Sequence, residues 1–204
     1  MGQKGFYFDQ TRCTGCRTCS VACSDLHNYA PDIVLRRVIE FEGGTWKVNT
    51  NGTCTQNVFA YYTSIGCNEC ENPVCVKACP TGAHHKRTED GLVVIDTEKC
   101  IGCGLCQKAC PWHVPQYFES LEKTPLGAPN HPKMSKCDMC IDRLNAGLKP
   151  ACVASCPGRA LECLPADEMK RRHPDAVRTA PGFDREKAEI TRPNIVFNPK
   201  SIRV

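Results

Sequence analysis

The chain is short of the side chains that ordinarily build a core. Leu, Ile, Val and Phe together number 40 of 204 residues, just under a fifth, too little apolar surface to close a domain comfortably by burial alone. Long hydrophobic runs are also missing. The longest uncharged stretch, 48–68, holds nine apolar residues among 21, with Asn, Thr, Gly and Gln scattered through it, so no membrane-spanning helix is expected. The opening residues Met1-Gly2-Gln3-Lys4 and Gly5-Phe6-Tyr7-Phe8 carry no apolar h-region, no twin arginine and no myristoylation Ser or Thr, and no export signal of the chain's own is expected. Charge of one sign is lacking too: 26 basic and 22 acidic residues leave a net +4, too mild a surplus for a disordered chain. No basic-aromatic motif points to nucleic acid. No acid–base dyad or nucleophile elbow is visible, and Gly15, Gly102 and Gly104 sit inside cysteine loops rather than a phosphate cradle.

What the chain has instead is cysteine, 18 residues of it. Sixteen fall into four groups of four with closely repeating spacing, an internal repeat. The first group (Cys13, Cys16, Cys19, Cys23) and the third (Cys100, Cys103, Cys106, Cys110) follow CxxCxxCxxxC. The second (Cys67, Cys70, Cys75, Cys79) inserts two residues around Asn72-Pro73, and the fourth (Cys137, Cys140, Cys152, Cys156) opens its middle gap to 11 residues. Pro80, Pro111 and Pro157 follow the last cysteines of groups two, three and four.

CxxCxxCxxxCP is the bacterial [4Fe-4S] ferredoxin signature, in which three cysteines bind one cluster and the fourth reaches across to another. A short loop with a cysteine at every third residue supplies thiolates from several directions while its backbone N–H groups point at the sulfurs. Cys106 and Cys110 lie one helical turn apart, and the proline after Cys110 drives that residue out of α geometry, freeing it to face a neighbour. Zinc needs only two CxxC pairs, which leaves the third and fourth cysteines superfluous. A disulfide scaffold is usually shorter, and cysteines so clustered would pair awkwardly. Core filling alone does not explain four phased repeats. Four clusters, each adding about −2 with its thiolates, would move the net charge from +4 to about −4.

The rest of the chain reads as α+β. A short apolar strand at 5–9 leads into group one, and a helix is expected over 20–28. The pattern over 33–64 is β, with Gly43-Gly44 and Asn51-Gly52 as turns. Asp90-Gly91 marks a hairpin before 92–95. Groups two and three span 67–111, the length of one compact two-cluster module. The economical topology is two bacterial-type 2x[4Fe-4S] ferredoxin modules, one split around the other: 1–32 with 112–164 as the outer module, 33–66 as a β-hairpin insertion, 67–111 as the inner module, and 165–204 as an extended C-terminal tail that wraps a partner. Gly158-Arg159-Ala160 after Pro157 echoes Thr81-Gly82-Ala83 after Pro80. One short helix is expected in the tail, over 167–172; beyond it Pro174, Pro181, Pro193 and Pro199 favour extended chain.

Four groups in this order, with Cys100-Ile101-Gly102-Cys103-Gly104-Leu105-Cys106, the run Gln56-Asn57-Val58-Phe59-Ala60-Tyr61-Tyr62 and Pro193-Asn194-Ile195-Val196, closely resemble the iron-sulfur subunits of molybdopterin oxidoreductases, above all that of dimethyl sulfoxide reductase. Related complexes include formate dehydrogenases and the polysulfide, tetrathionate and arsenate reductases. The resemblance implies four ligand sets. Cys67, Cys70, Cys75 and Cys110 would hold one cluster, and Cys79, Cys100, Cys103 and Cys106 its neighbour. In the split module Cys13, Cys16, Cys19 and Cys156 would hold a third, and Cys23, Cys137, Cys140 and Cys152 the fourth. Some relatives have tryptophan at the second position of group three and a three-iron cluster; here that position is Cys103, so four [4Fe-4S] clusters are expected.

The resemblance further implies a non-catalytic subunit that relays single electrons between a quinol-oxidising membrane anchor and a large molybdopterin catalytic subunit. It would lie peripherally on the inner membrane through those partners, on the periplasmic face, with the cytoplasmic face as the alternative. A free polyferredoxin carrier is the competing reading, and it predicts a dispensable tail. Arg17, Lys77, Lys99, Lys108 and Lys136 lie near ligands and could tune potentials, although a solvated position is the simpler expectation for each. Cys54 and Cys163 are expected to be non-ligands. His84 and His85, adjacent on a strand, should point to opposite faces, both as surface side chains. Trp112 and His113 are expected to shield a cluster, and Tyr7 and Phe8 to be core.

Overall fold

The computed structural model describes residues 2–117 and 132–201 of the chain. The expected outer module therefore includes 118–131, and the tail 202–204, which lie outside the described residues. Strand β1 (Lys4–Asp9) enters a loop carrying Cys13 and Cys16, and helix α1 (Thr18–His27) follows. The inserted segment forms β2 (Arg37–Gly43), β3 (Trp46–Val48), β4 (Cys54–Gln56) and β5 (Phe59–Ile65). β2 pairs antiparallel with β5 from Arg37↔Ile65 to Gly43↔Phe59, and β3 pairs with β4 across the Asn51-Gly52 turn. Stacked Phe41, Phe59 and Tyr61 line the hairpin at centroid separations of 5.2 to 6.2 Å.

Group two runs through a loop into α2 (Val74–Lys77), then into β6 (His84–Lys86), which pairs antiparallel with β7 (Val93–Ile95) around Asp90-Gly91. α3 (Leu105–Ala109) carries Cys106, and Cys110 caps it in extended conformation (φ −76°, ψ 112°), the departure from the helix that Pro111 imposes. β8 (Gln116–Tyr117) and β9 (Met134–Ser135) pair antiparallel. Group four occupies a loop, α4 (Ile141–Asn145) and α5 (Ala151–Ala154). Then come β10 (Leu161–Pro165), α6 (Ala166–Arg172), α7 (Arg185–Thr191) and β11 (Ile195–Asn198).

β1 lies at the centre of a three-stranded sheet, antiparallel to β10 (Phe8↔Leu161) and parallel to β11 (Phe6↔Ile195, Phe8↔Phe197). Both faces of β1 are covered, which explains its unbroken Phe6-Tyr7-Phe8 run. Tyr7 packs with Leu164 and Met169 on one side, while Phe6 and Phe8 enter the main core on the other. That core interleaves Cys19, Cys67, Cys70, Cys110 and Cys152 with Phe6, Phe8, Trp112, Met139, Phe183 and Phe197. Thiols stand where aliphatic side chains would be in an ordinary domain, which accounts for the aliphatic shortage.

The tail is the main departure from sequence expectation. α6 lies where a helix is expected, but α7 forms where only extended chain is anticipated: Asp184 caps it, its carboxylate accepting the Lys187 N–H at 3.1 Å. β11 then joins the chain's own sheet.

Candidate metal centres

Each cysteine group uses the same local plan, a loop followed by a short helix. In group one, Cys19 and Cys23 sit four apart on α1, so both face inward, and both are buried. The turn ahead of them is tight. Gly15 has φ +73°, and a Cβ there would meet the Tyr62 ring at 2.6 Å, so only glycine fits. In group three, Gly104 (φ +71°) starts α3 with equally little room, since a Cβ would lie 2.5 Å from Tyr117 Oη. Backbone N–H groups aim at sulfur in the way the spacing suggests. Gly102 donates to Cys100 Sγ and Met139 to Cys137 Sγ, both at 3.4 Å and both two residues on. His84 donates to Cys79 Sγ at 3.4 Å and Ala160 to Cys156 Sγ at 3.3 Å. In both segments after Pro80 and Pro157 a backbone N–H thus returns to the preceding cysteine, from five residues on in the first and four in the second.

The fold brings group one to group four and group two to group three. α1 packs against α5, and α2 against α3. A cavity is lined by Cys13, Cys16, Cys19 and Cys156, with Phe8 and Ser64 among its walls. Cys23 lies in the electrostatic reach of Cys152 and Cys140, Cys70 in that of Cys75 and Cys110, and Cys106 in that of Cys100 and Cys103. A second core cluster holds Cys75, Cys100 and Cys106 around Ala83, Val93 and Met134, with Cys79 packed against it.

None of the eighteen cysteines forms a disulfide. Burial pushes Cys23 and Cys70 up to about 12 and Cys75 and Cys106 up to about 11, so without a cation these groups stay protonated. The exceptions lie toward the surface: Cys16, which is exposed, is lowered by the Thr18 hydroxyl and N–H. Grouped soft donors, inward-facing and met by N–H groups, fit iron-sulfide cores, whose charge would ionise and compensate the buried thiols.

Cys54 is exposed on β4, outside every group. Cys163 lies on β10 with its Sγ 3.2 Å from the Met139 sulfur. Trp112 is buried, stacked on Phe183 at 4.5 Å, and donates from Nε1 to Thr191 Oγ1 at 3.0 Å. His113 beside it is exposed, so of the two only the tryptophan packs into the core that holds Cys70 and Cys110.

Two surface expectations are corrected. His84 and His85 do point to opposite faces, but His84 is 3% exposed with both ring nitrogens unpartnered. Desolvation, reinforced by Lys136, lowers it to about 4 and keeps it neutral. Lys136 is also buried, unlike Arg17, Lys77, Lys99 and Lys108, because the Glu69 carboxylate meets its Nζ at 3.5 Å inside the protein. Glu69, at φ +45°, also accepts the Val93 N–H on Oε2 at 2.6 Å, and its backbone carbonyl accepts from Asn194 Nδ2 at 2.6 Å. Glu69 and the buried Arg36 escape sequence reasoning: Glu69 is one of two unmarked positions inside a CxxC, and Arg36 is the first of two adjacent arginines of which only it is buried.

An α+β chain that stacks two ferredoxin-type domains and carries their cysteines on paired loops is a multi-cluster iron-sulfur electron carrier. Residues 58–164 match the 4Fe-4S dicluster domain and residues 10–29 a 4Fe-4S binding domain. The chain is 49% identical to the B component of anaerobic dimethyl sulfoxide reductase from Escherichia coli (strain K12), over 98% of this chain and 90% of that protein, and 45% identical to the B component of the Haemophilus influenzae reductase over the same shares. The B component of tetrathionate reductase from Salmonella typhimurium (strain LT2) is 37% identical over 74% of this chain and 54% of its own length. The chain belongs to the family of these anaerobic dimethyl sulfoxide reductase B components. It is an electron-transfer iron-sulfur subunit of a reductase complex, and its cofactors are four [4Fe-4S] clusters.

Proposed function

We propose that the chain relays single electrons between a quinol-oxidising membrane anchor subunit and a large molybdopterin catalytic subunit, itself catalysing no bond chemistry. The ligand sets are those named above: Cys13, Cys16, Cys19 and Cys156; Cys23, Cys137, Cys140 and Cys152; Cys67, Cys70, Cys75 and Cys110; Cys79, Cys100, Cys103 and Cys106. The observation that carries the reading is the juxtaposition of group one with group four and of group two with group three, in keeping with a fourth thiol for each loop from across the module. It also supports the division into an outer module at 1–32 and 112–164, an insertion at 33–66 and an inner module at 67–111. Bound clusters supply one-electron chemistry without bond breaking. The chain's own residues hold the sulfurs, aim N–H groups at them and keep water away, and so set where each potential falls within the wide iron-sulfur range.

No helix among the described residues is long and apolar enough to cross a membrane, in keeping with a subunit held at the inner membrane by its partners; the periplasmic face is the reading we adopt. The test is anaerobic isolation of the tagged chain from membranes. It should co-elute with a pterin-containing chain and a multi-span chain, and carry sixteen iron and sixteen acid-labile sulfide atoms, as four [4Fe-4S] clusters require. Cys106→Ser should lose cluster iron while Cys163→Ser keeps the full count. Recovery of the chain alone as a stable monomer would overturn the partner assignment, and iron loss in Cys163→Ser the ligand sets.

A further inference from the structure

Arg36 lies between α1 and β2 and is 2% exposed. A cation so deeply buried needs a counter-charge close by. Among the described residues no carboxylate reaches it: every ion pair involves other cations. Its seat is nevertheless closely built. The guanidinium carbon lies 4.3 Å above the centre of the Phe6 ring, and Nη1 donates to the Ser64 carbonyl at 3.3 Å. A Cβ on Gly66 would come within 3.3 Å of the guanidinium, so the backbone just ahead of Cys67 closes a third side. Nη2 is buried without any partner. Ser64 also places its hydroxyl 3.3 Å from Cys19 Sγ, which ties the seat to group one.

We propose that Arg36 is the internal counter-ion of the two clusters of the split module and raises their reduction potentials. The inference rests on the ligand sets proposed above. The cysteine sulfurs that, once ionised as cluster ligands, most favour the charged guanidinium, after the opposing effect of burial, are those of Cys152, Cys137, Cys19 and Cys23 in that order. Three of the four belong to the Cys23, Cys137, Cys140 and Cys152 set, so the influence is greatest there. One electron entering such a site takes the core from 2+ to 1+ and the core with its thiolates from −2 to −3. It leaves again to the next centre, with no bond or proton moved. A fixed positive charge in a low-dielectric interior favours the more negative state, and arginine keeps that charge at every working pH. Lys136 differs, because Glu69 already neutralises it. Arg36 is thus a positioning residue for electron flow, setting the order of potentials.

The experiment is an anaerobic redox titration of the intact complex, followed by low-temperature electron paramagnetic resonance, on the wild type, Arg36→Met and Arg36→Lys. Arg36→Met should make reduction of one or two of the four centres at least tenfold less favourable, a downward shift of about 59 mV or more for one electron. Arg36→Lys should hold the wild-type potentials more closely. If Arg36→Met loses iron while Arg36→Lys keeps it, charge rather than volume is required, and the proposal stands. It falls if Arg36→Met keeps all iron with four unchanged potentials, or if both variants lose iron alike. A wild type with fewer than four cluster signals would instead sink the ligand sets, independently of Arg36.

Discussion

Glu69, inside group two, and Lys136, just ahead of group four, form an ion pair with side chains 0% and 1% exposed. Such a pair gains little net stability, yet breaking it on one side leaves a naked buried charge. Lys136→Met is therefore expected to destabilise the protein by about 3–5 kcal/mol, and Glu69→Gln by a comparable amount. The double variant should recover most of the loss. The check is the denaturant concentration at which the brown cluster absorption bleaches anaerobically; a double variant whose loss equals the sum of the two single losses would mean the pair is not coupled. At this scale the sequence was legible wherever spacing carried the information. Sixteen cysteines could be separated from Cys54 and Cys163 by periodicity alone; in the structure Cys54 is exposed on β4, whereas Cys163 packs against Met139 and the core that holds Cys152. Buried charge could not be read the same way. Lys136 stands before a cysteine just as Lys99 does, yet only Lys136 finds a carboxylate within the core, and that partner lies 67 positions away.

Among the elements, β11 is the one whose role the sequence conceals. Its prolines suggest loose extended chain, but 191–198 is stitched to the group two loop and to β1. Asn194 donates its N–H to the Asn68 carbonyl at 2.8 Å and its own carbonyl accepts the Phe6 N–H at 2.9 Å, while Glu71 and Asn72 donate to the carbonyls of Arg192 and Thr191. Ile195 and Phe197 are almost wholly buried, each worth roughly 1.5–3 kcal/mol of burial. A chain ended at Arg192 should therefore lose protease resistance and iron, whereas one ended at Asn198 should keep both; iron per chain and limited proteolysis under anaerobic conditions measure this. Full iron retention in the shorter chain would contradict a structural strand. Deleting the tail thus reports on the fold before it reports on any partner, so it does not separate a complex subunit from a free carrier. Elements marked by strong local chemistry are the legible ones: the Asn51-Gly52 and Asp90-Gly91 hairpins and the exit of Cys110 from α3 all lie where expected. β11 and α7 depend on distant packing and a single Asp184 cap, which composition does not reveal.

For the whole molecule the clusters reverse both the charge and the source of stability. The bare chain carries +4 with a sequence isoelectric point near 8.3; four cores with their thiolates bring the total to about −4. Thiol ionisation drives that change, and it sets a pH dependence whose sign can be worked out. In the cluster-free chain burial holds the Cys23 and Cys70 thiols up to about 12 and the Cys75 and Cys106 thiols up to about 11. Each must give up a proton when iron binds, so protons compete with metal throughout the range below those values. Iron retention should accordingly strengthen with rising pH and keep strengthening past about 8.5, where ordinary exposed thiols are half ionised and the gain would begin to level off. An anaerobic chelator challenge between about pH 6 and about pH 9.5, scored by remaining cluster absorption, gives the slope. A plateau setting in near the ordinary thiol value would show that the ligands are not desolvated in the metal-free state, and would remove the link between buried thiols and the missing aliphatic core.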